Sequence, residues 1–325
     1  MDRAAGRRRQ AAPAAVGATL QADGEQPENQ EYTWYWGKPA LRQAIARFYQ
    51  RQYRVELDPD SEIAVFHGSH IGVTGLPRAL LAPGQYLIST DPCYPIYRSA
   101  AAQAQAKFYG IPLHASNQFL PDFTEVPKAV TQHAGLLLLN YPHNPTGAVA
   151  TPQLFDDALA FVQRLNIPLL HDFAYSAIGR HAQDAPPSLL SQPEAKEWSV
   201  EIYTMSKTFL MAGWRFGFAI GNASVISAFK KLHTHSYSTV FGAVQDAALS
   251  ALALPESDAA AFAALYPHRR HRVIRALEPL GCPVDARHGT FSLCPSLSHG
   301  SRPQPSPTRL PHAAPVLAVP LPASG

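Results

Sequence analysis

Leu41, Ala44, Ile45, Phe48 and Tyr49 recur at i, i+3, i+4, i+7 and i+8 behind Pro39, the apolar stripe of an amphipathic helix whose first turn accepts proline. Downstream, short apolar runs alternate with helical stripes. The runs at 86–90, 135–140, 167–172 and 201–206 are brief, and two are almost wholly aliphatic. Such runs suit strands buried on both faces, which predicts a mainly parallel sheet covered by helices, an α/β fold. Between two of them, 151–166 reads as a crossover helix: Thr151 caps it, Pro152 opens it, and Leu154, Ala158, Phe161, Val162 and Leu165 share one face. Phe216, Phe218 and Ile220 alternate with small residues, predicting a further strand over 215–221. Residues 243–280 read as mostly helical. Residues 1–30, rich in Ala, Gly and Gln, predict a poorly ordered arm. The 34 residues after Phe291 hold eight prolines and no acidic residue, which predicts an irregular tail.

Composition narrows the class without naming a function. The chain has 325 residues, 46% of them hydrophobic and 16% charged, enough to bury a core without disulfides or metal. No uncharged apolar run reaches the ~18 residues that span a bilayer, and the N-terminus lacks an apolar signal core. Cys93, Cys282 and Cys294 form neither a CxxC pair nor an even set, which argues against structural zinc and fits a reducing, cytoplasmic compartment. The net charge of +3 owes much to Arg7, Arg8 and Arg9, a solvated tail more than a nucleic-acid face.

Chemistry concentrates at the predicted strand ends. Lys207, one of seven lysines, stands in Thr204-Met-Ser206-Lys207-Thr; there it could be desolvated into a nucleophile or simply reach back to solvent. Arg215, eight residues on, could grip a phosphate or be an ordinary surface cation. Asn140-Tyr-Pro-His-Asn144-Pro-Thr-Gly147 follows a buried strand, where α/β sheets place ligands, although the same residues make plain turns. Asp172 ends an aliphatic strand and calls for a cation, or else caps a helix. Gly68-Ser69-His70-Ile-Gly72 could open a helix with free N–H groups for a phosphate, a weak signal alone. Tyr94, beyond another strand, could cover a planar ring or merely pack beside its prolines.

Taken in order, these stretches resemble the fold-type I, class I/II pyridoxal-phosphate aminotransferases, nearest in flavour to the branch of LL-diaminopimelate and alanine aminotransferases. The motif residues Ser206-Lys207-Thr-Phe-Leu-Met-Ala-Gly-Trp-Arg215-Phe-Gly and Tyr141-Pro-His-Asn144-Pro-Thr-Gly147 carry the resemblance, which covers roughly residues 20 to 291. It implies pyridoxal 5'-phosphate as cofactor, a Lys207 aldimine, and transfer of an amino group from an L-amino acid to a 2-oxo acid. By the same resemblance Asp172 pairs with the ring nitrogen, Asn144 and Tyr175 with the ring oxygen, and Tyr94 stacks on the ring. Ser69, His70, Thr204, Ser206 and Arg215 hold the phosphate. Tyr32 matches the tyrosine that crosses to a neighbouring subunit, implying a homodimer. The implied organisation is an arm over 1–30, a large cofactor-binding domain over 31–242, the start of a small domain over 243–291 and a tail over 292–325. Thr204 and His70 stand where relatives often carry Ser and Lys. Residues 1–30 hold no counterpart of the relatives' glycine-rich segment, and no arginine past Phe291 sits in a context that would grip a substrate carboxylate; Arg302 and Arg309 do not. The shift in composition suggests a frameshifted or truncated reading frame. Two other outcomes stay open: a lyase or decarboxylase of the same fold, and a cofactor-binding chain with little activity.

Overall fold

The computed structural model describes residues 11–178, 186–255, 265–277 and 289–293. Seven strands form one sheet: β1 (Ile63–Phe66), β2 (Tyr86–Asp91), β3 (Lys107–Pro112), β4 (Ala134–Leu139), β5 (Leu169–Asp172), β6 (Ser199–Thr204) and β7 (Gly217–Gly221), in the order β1-β7-β6-β5-β4-β2-β3. Pairs β2–β3, β2–β4, β4–β5 and β5–β6 are parallel. β7 runs antiparallel to both β1 and β6, so the expected mainly parallel sheet carries one reversed strand. That reversal follows from the short connection out of Thr204, too short for a crossover helix.

Side-chain alternation distributes the strands' apolar residues to two faces. Leu136 and Leu138 pack with Phe66, Ile202 and Phe229 on one face, under helices Ser69–Leu80 and Ala223–Ser236. Leu137 and Leu139 pack on the other with Phe155 and Val162 of helix Pro152–Leu165. Further along that second face, Tyr203 and Phe218 stack at 4.9 Å between centroids and meet Phe48 and Tyr49 of helix Pro39–Tyr53. Helix Pro152–Leu165 starts as expected: Thr151 Oγ1 accepts from the Leu154 N–H at 3.1 Å, a cap worth about 1 kcal/mol.

Three boundaries depart from the sequence reading. Residues 14–23, expected to be irregular, form helix Ala14–Asp23, which packs on helix Gly242–Leu252 and buries Val16 completely. Their weak periodicity comes from a single buried contact stripe on an alanine-rich helix. β1 and β3 were not anticipated, because β1 has only four residues and β3 is a half-exposed edge strand. β6 ends at Thr204, and Met205–Thr208 form a helical turn that lifts Lys207 off the strand end. Of the helical expectation for 243–280, the described residues form helices Gly242–Leu252 and Leu265–Leu277; residues 256–264 and 278–280, and most of the proline-rich tail, lie outside the described residues. No described helix is long and apolar enough to cross a membrane.

Candidate active site

Asp172 closes β5 and is 4% exposed. The Tyr97 hydroxyl donates to its Oδ2 at 2.8 Å, and the Asn140 side-chain amide donates to its backbone carbonyl at 2.7 Å. Oδ1 is buried with no hydrogen-bond partner among the described residues. Burial raises the Asp172 carboxyl to about 6, against the pull of the Tyr97 hydrogen bond, His171, the Ala174 N–H and Lys207. A buried carboxylate oxygen without a donor is costly, and the fold keeps it at a strand end where ligands bind in such sheets.

Lys207 is half-buried on its helical turn, 6.0 Å from the Tyr175 ring centroid and 5.0 Å from that of Phe291. Those two rings meet edge to face at 5.3 Å. Burial lowers the Lys207 amine, as does the like charge of Arg215, while Asp172 opposes them. The result is an amine that spends more of its time neutral and nucleophilic at ordinary pH.

A cradle for an anion lies alongside. Gly68 precedes helix Ser69–Leu80 with φ +83, and a Cβ there would stand 2.6 Å from Arg215 Nη2; glycine is what lets the guanidinium lie against the helix N-terminus. At Gly217 a Cβ would meet the Ser69 N–H nitrogen at 2.7 Å, so β7 also presses close to that helix start. Arg215 itself has φ +55 and donates through Nη1 to the Ala212 carbonyl at 2.9 Å. Thr204 Oγ1 accepts from the Ser206 N–H at 3.2 Å and lies 2.9 Å from Ser206 Oγ. Tyr94 packs edge to face on Tyr97 at 5.7 Å. Its phenol is pushed up by burial and by Asp172 and pulled down by Arg215, which places it within reach of both charges.

Asn144 donates its backbone N–H to Asn140 Oδ1 at 2.9 Å, which ties it to Asp172 through one shared amide. Asp172, Lys207, Tyr175, Tyr94, Arg215, Ser69, Thr204, Ser206 and Asn144 thus gather at one end of the sheet, at the carboxyl ends of β1, β2, β4, β5 and β6 and the amino end of the reversed β7. His70 is exposed on the first turn of its helix. Tyr32 is 88% exposed on the segment before helix Pro39–Tyr53, where it lines an open groove of about 800 Å3 with Glu31, Trp34, Trp36 and Pro39. Arg302 and Arg309 lie outside the described residues.

Three participants were not assigned from sequence, nor was one buried histidine of the 140–147 loop. Tyr97 is one helical turn beyond Tyr94, a spacing that could have suggested it; Asn140 precedes the Asn144 loop. Phe291 reaches Lys207 because Gly289 fits where a Cβ would meet the Gly147 carbonyl at 2.7 Å, and because Arg270 donates to the Thr290 carbonyl. His143 is fully buried, 3.1 Å from Thr90 Oγ1 and 2.8 Å from Thr146 Oγ1, and no pattern in the sequence marks it.

The orphaned Asp172 oxygen, the low-lying amine and the glycine-backed cradle fit a phosphorylated, aldehyde-bearing pyridine. The family described as "Aminotransferase class I and II" matches residues 4–302, and the chain belongs to it. It is 43% identical over 265 residues to an L-glutamine–4-(methylsulfanyl)-2-oxobutanoate aminotransferase of Bacillus subtilis, covering 82% of this chain and 66% of that protein. It is 38% identical over 269 residues to an LL-diaminopimelate aminotransferase of Aquifex aeolicus, covering 83% and 69%. The substrate-bound structure of BacF from Bacillus subtilis superposes with a TM-score of 0.87 at 36% identity, over 91% of this chain and 75% of that one. The chain therefore spans about two thirds of the length of these curated relatives, and its fold is that of the fold-type I enzymes.

Proposed function

We propose that this chain is a pyridoxal-phosphate-dependent aminotransferase that moves an amino group from an L-amino acid to a 2-oxo acid. The observation that carries the reading is the buried, partnerless Oδ1 of Asp172 at the same sheet end as a desolvated lysine. When bound, the cofactor supplies a conjugated ring that accepts the electrons left on the substrate α-carbon. Asp172 holds a proton on the ring nitrogen through Oδ1, and Tyr97 and Asn140 hold Asp172. Lys207 Nζ would hold the cofactor's aldehyde end and, as the amine nearest that end, would take up and return the substrate's α-proton. Asn144 and Tyr175 would hold the ring oxygen, and Tyr94 would cover one ring face. Ser69, the His70 N–H, Thr204, Ser206 and Arg215 hold the phosphate. Tyr32 serves the site of a second copy in a homodimer, and an odd set of three cysteines in the sequence fits a cytoplasmic enzyme.

The names of the relatives favour amino transfer over elimination or decarboxylation, which use the same groups. Incubating the full chain with the cofactor, a panel of L-amino acids and a 2-oxo acid should form new amino acid in step with loss of the donor. Release of ammonia or carbon dioxide in its place would assign one of the other two reactions.

A further inference from the structure

One buried titratable pair takes no part in that mechanism. Strand β5 sends Asp172 to one face of the sheet and His171 to the other, where His171 and Glu201 are both fully buried. His171 Nδ1 lies 2.8 Å from Glu201 Oε2. Glu201 is already supplied with donors: the Tyr49 hydroxyl at 2.8 Å and the Ser188 hydroxyl at 2.9 Å on Oε1, and the Leu189 N–H at 3.0 Å on Oε2. Three donors besides the imidazole fix Glu201 as a carboxylate. The other ring nitrogen, Nε2, is 2.8 Å from the Tyr141 carbonyl oxygen. A carbonyl oxygen only accepts, so that contact requires a proton on Nε2. The Tyr141 N–H also points at Nε2, at 3.3 Å, the bond a neutral ring with its proton on Nδ1 would accept, but an unprotonated Nε2 would then face the carbonyl's lone pairs at the shorter distance of 2.8 Å. The shorter of the two contacts favours donation from both ring nitrogens.

We propose that His171 is a buried imidazolium, charge-paired with Glu201, and acts as a positioning residue for Asp172: its charge keeps the neighbouring carboxylate ionised, and its Nε2–H holds the Tyr141 carbonyl, so that the loop from Asn140 to Asn144 stays against the strand end. The inference rests on the functional reading above for what Asp172 does, but not for the state of the ring. The direction of the His171 influence on the Asp172 carboxyl is downward, against burial. The remaining groups facing the pair are consistent with a fixed charge. Phe155 and Phe173 enclose the ring at 5.2 and 5.1 Å, and the titratable neighbours are Glu201, Tyr49, Asp172 and, beyond Tyr49, Tyr53 and Tyr203. Burial and Glu201 hold the Tyr49 phenol well above its ordinary range, so Tyr49 remains a donor throughout.

Two measurements on the full-length chain test this. With 15N-labelled histidine in cofactor-free protein, the resonance lost in His171→Gln should show both ring nitrogens protonated at pH 7.5; a neutral tautomer there would overturn the proposal, whatever the enzyme's activity. Titrating pyridoxal phosphate affinity against pH should show the acid-side loss moving up by about one pH unit in His171→Gln, because Asp172 loses its neighbouring cation. The double variant His171→Gln/Glu201→Gln, which keeps hydrogen-bonding groups without the buried charges, should show a smaller shift in the same direction, because His171 adjoins Asp172 while the lost Glu201 anion is farther off, and it stands in should the single variant fold poorly. An unshifted profile in a folded variant would refute the electrostatic role. Failure to bind the cofactor at any pH in the parent would overturn the functional reading, leaving the nitrogen measurement to decide the state of His171.

Discussion

The hydrogen bond from Tyr97 to Asp172 occupies Oδ2 and leaves Oδ1 bare. The side-chain amide of Asn140 fixes the same residue through its backbone, so the free oxygen has a set direction. A hydrogen bond to an ionised group is worth roughly 1.5 to 3 kcal/mol, enough to hold the carboxylate in one rotamer while its second oxygen goes unpaired. The site is thus assembled before any ligand arrives, at a cost in stability that can be measured.

That cost gives the first prediction. Asp172 sits at about 6 in the fold against 3.8 for the ordinary side chain; the folded chain holds a proton that the unfolded chain has released. Stability of cofactor-free protein should therefore fall as pH rises from about 4 to 6 and stay lower above it, by roughly 3 kcal/mol. Asp172→Asn removes that slope and leaves the side-chain NH2 group without an acceptor, at a cost of about 1 to 2 kcal/mol. We expect cofactor-free Asp172→Asn to be more stable at pH 7.5 by roughly 1 to 2 kcal/mol, while transamination drops by orders of magnitude. Urea denaturation at pH 4.5 and 7.5 checks it; a variant less stable than the parent at pH 7.5 would be contrary evidence.

Gly68 and Arg215 give the second. An alanine at 68 must hold φ near +83 and displace the guanidinium 2.6 Å away. The backbone strain costs about 1 to 2 kcal/mol, and the displaced Arg215 loses its place beside the helix N-terminus. Gly68→Ala should fold yet bind pyridoxal phosphate about 10- to 100-fold more weakly, while pyridoxal without the phosphate binds as in the parent. Equal weakening for both ligands would mean that the cradle does not hold phosphate.

Much of this was legible in the sequence for a physical reason. Residues 86–90, 135–140 and 167–172 are buried on both faces, so their strands read as uninterrupted apolar runs, and the functional residues follow directly on them. What stayed hidden depends on contacts distant in sequence. Tyr97 matters because Asp172 faces it across the sheet end, 75 residues on. Helix Ala14–Asp23 matters because helix Gly242–Leu252 covers it. Phe291 reaches Lys207 only through the tight fit of Gly289 against Gly147. None of these pairings leaves a local period to read.

The third prediction concerns Lys207. Reduction of the cofactor-loaded chain with borohydride should label Lys207 alone among seven lysines, and Lys207→Ala should lose the visible absorption of bound cofactor. Arg215 lowers the amine by like-charge repulsion, so Arg215→Gln should move the pH midpoint of reaction with pyridoxal upward. Using the unphosphorylated aldehyde separates this effect from phosphate binding. A midpoint unmoved by Arg215→Gln would leave burial as the sole cause of the shift.

Tyr32 supplies the last. Four aromatic residues, Tyr32, Trp34, Tyr35 and Trp36, are exposed in one short segment, Tyr32 to 88% and Trp34 to 63%. Such a patch is unusual on a protein that stays single, and a two-fold dimer would bury it on both copies at once. If each Tyr32 completes the site of the other copy, two damaged chains can repair one another. Tyr32→Ala lacks the tyrosine it lends, and Lys207→Ala lacks the lysine it keeps; in a mixed dimer one site receives neither defect. Random exchange at equal amounts makes half of the dimers mixed, each with one intact site of two, so activity should recover to about a quarter of the parent's. Sedimentation should show dimers for both variants and for the mixture. Dimers that exchange chains but recover no activity would place Tyr32 in its own subunit's site, or in neither.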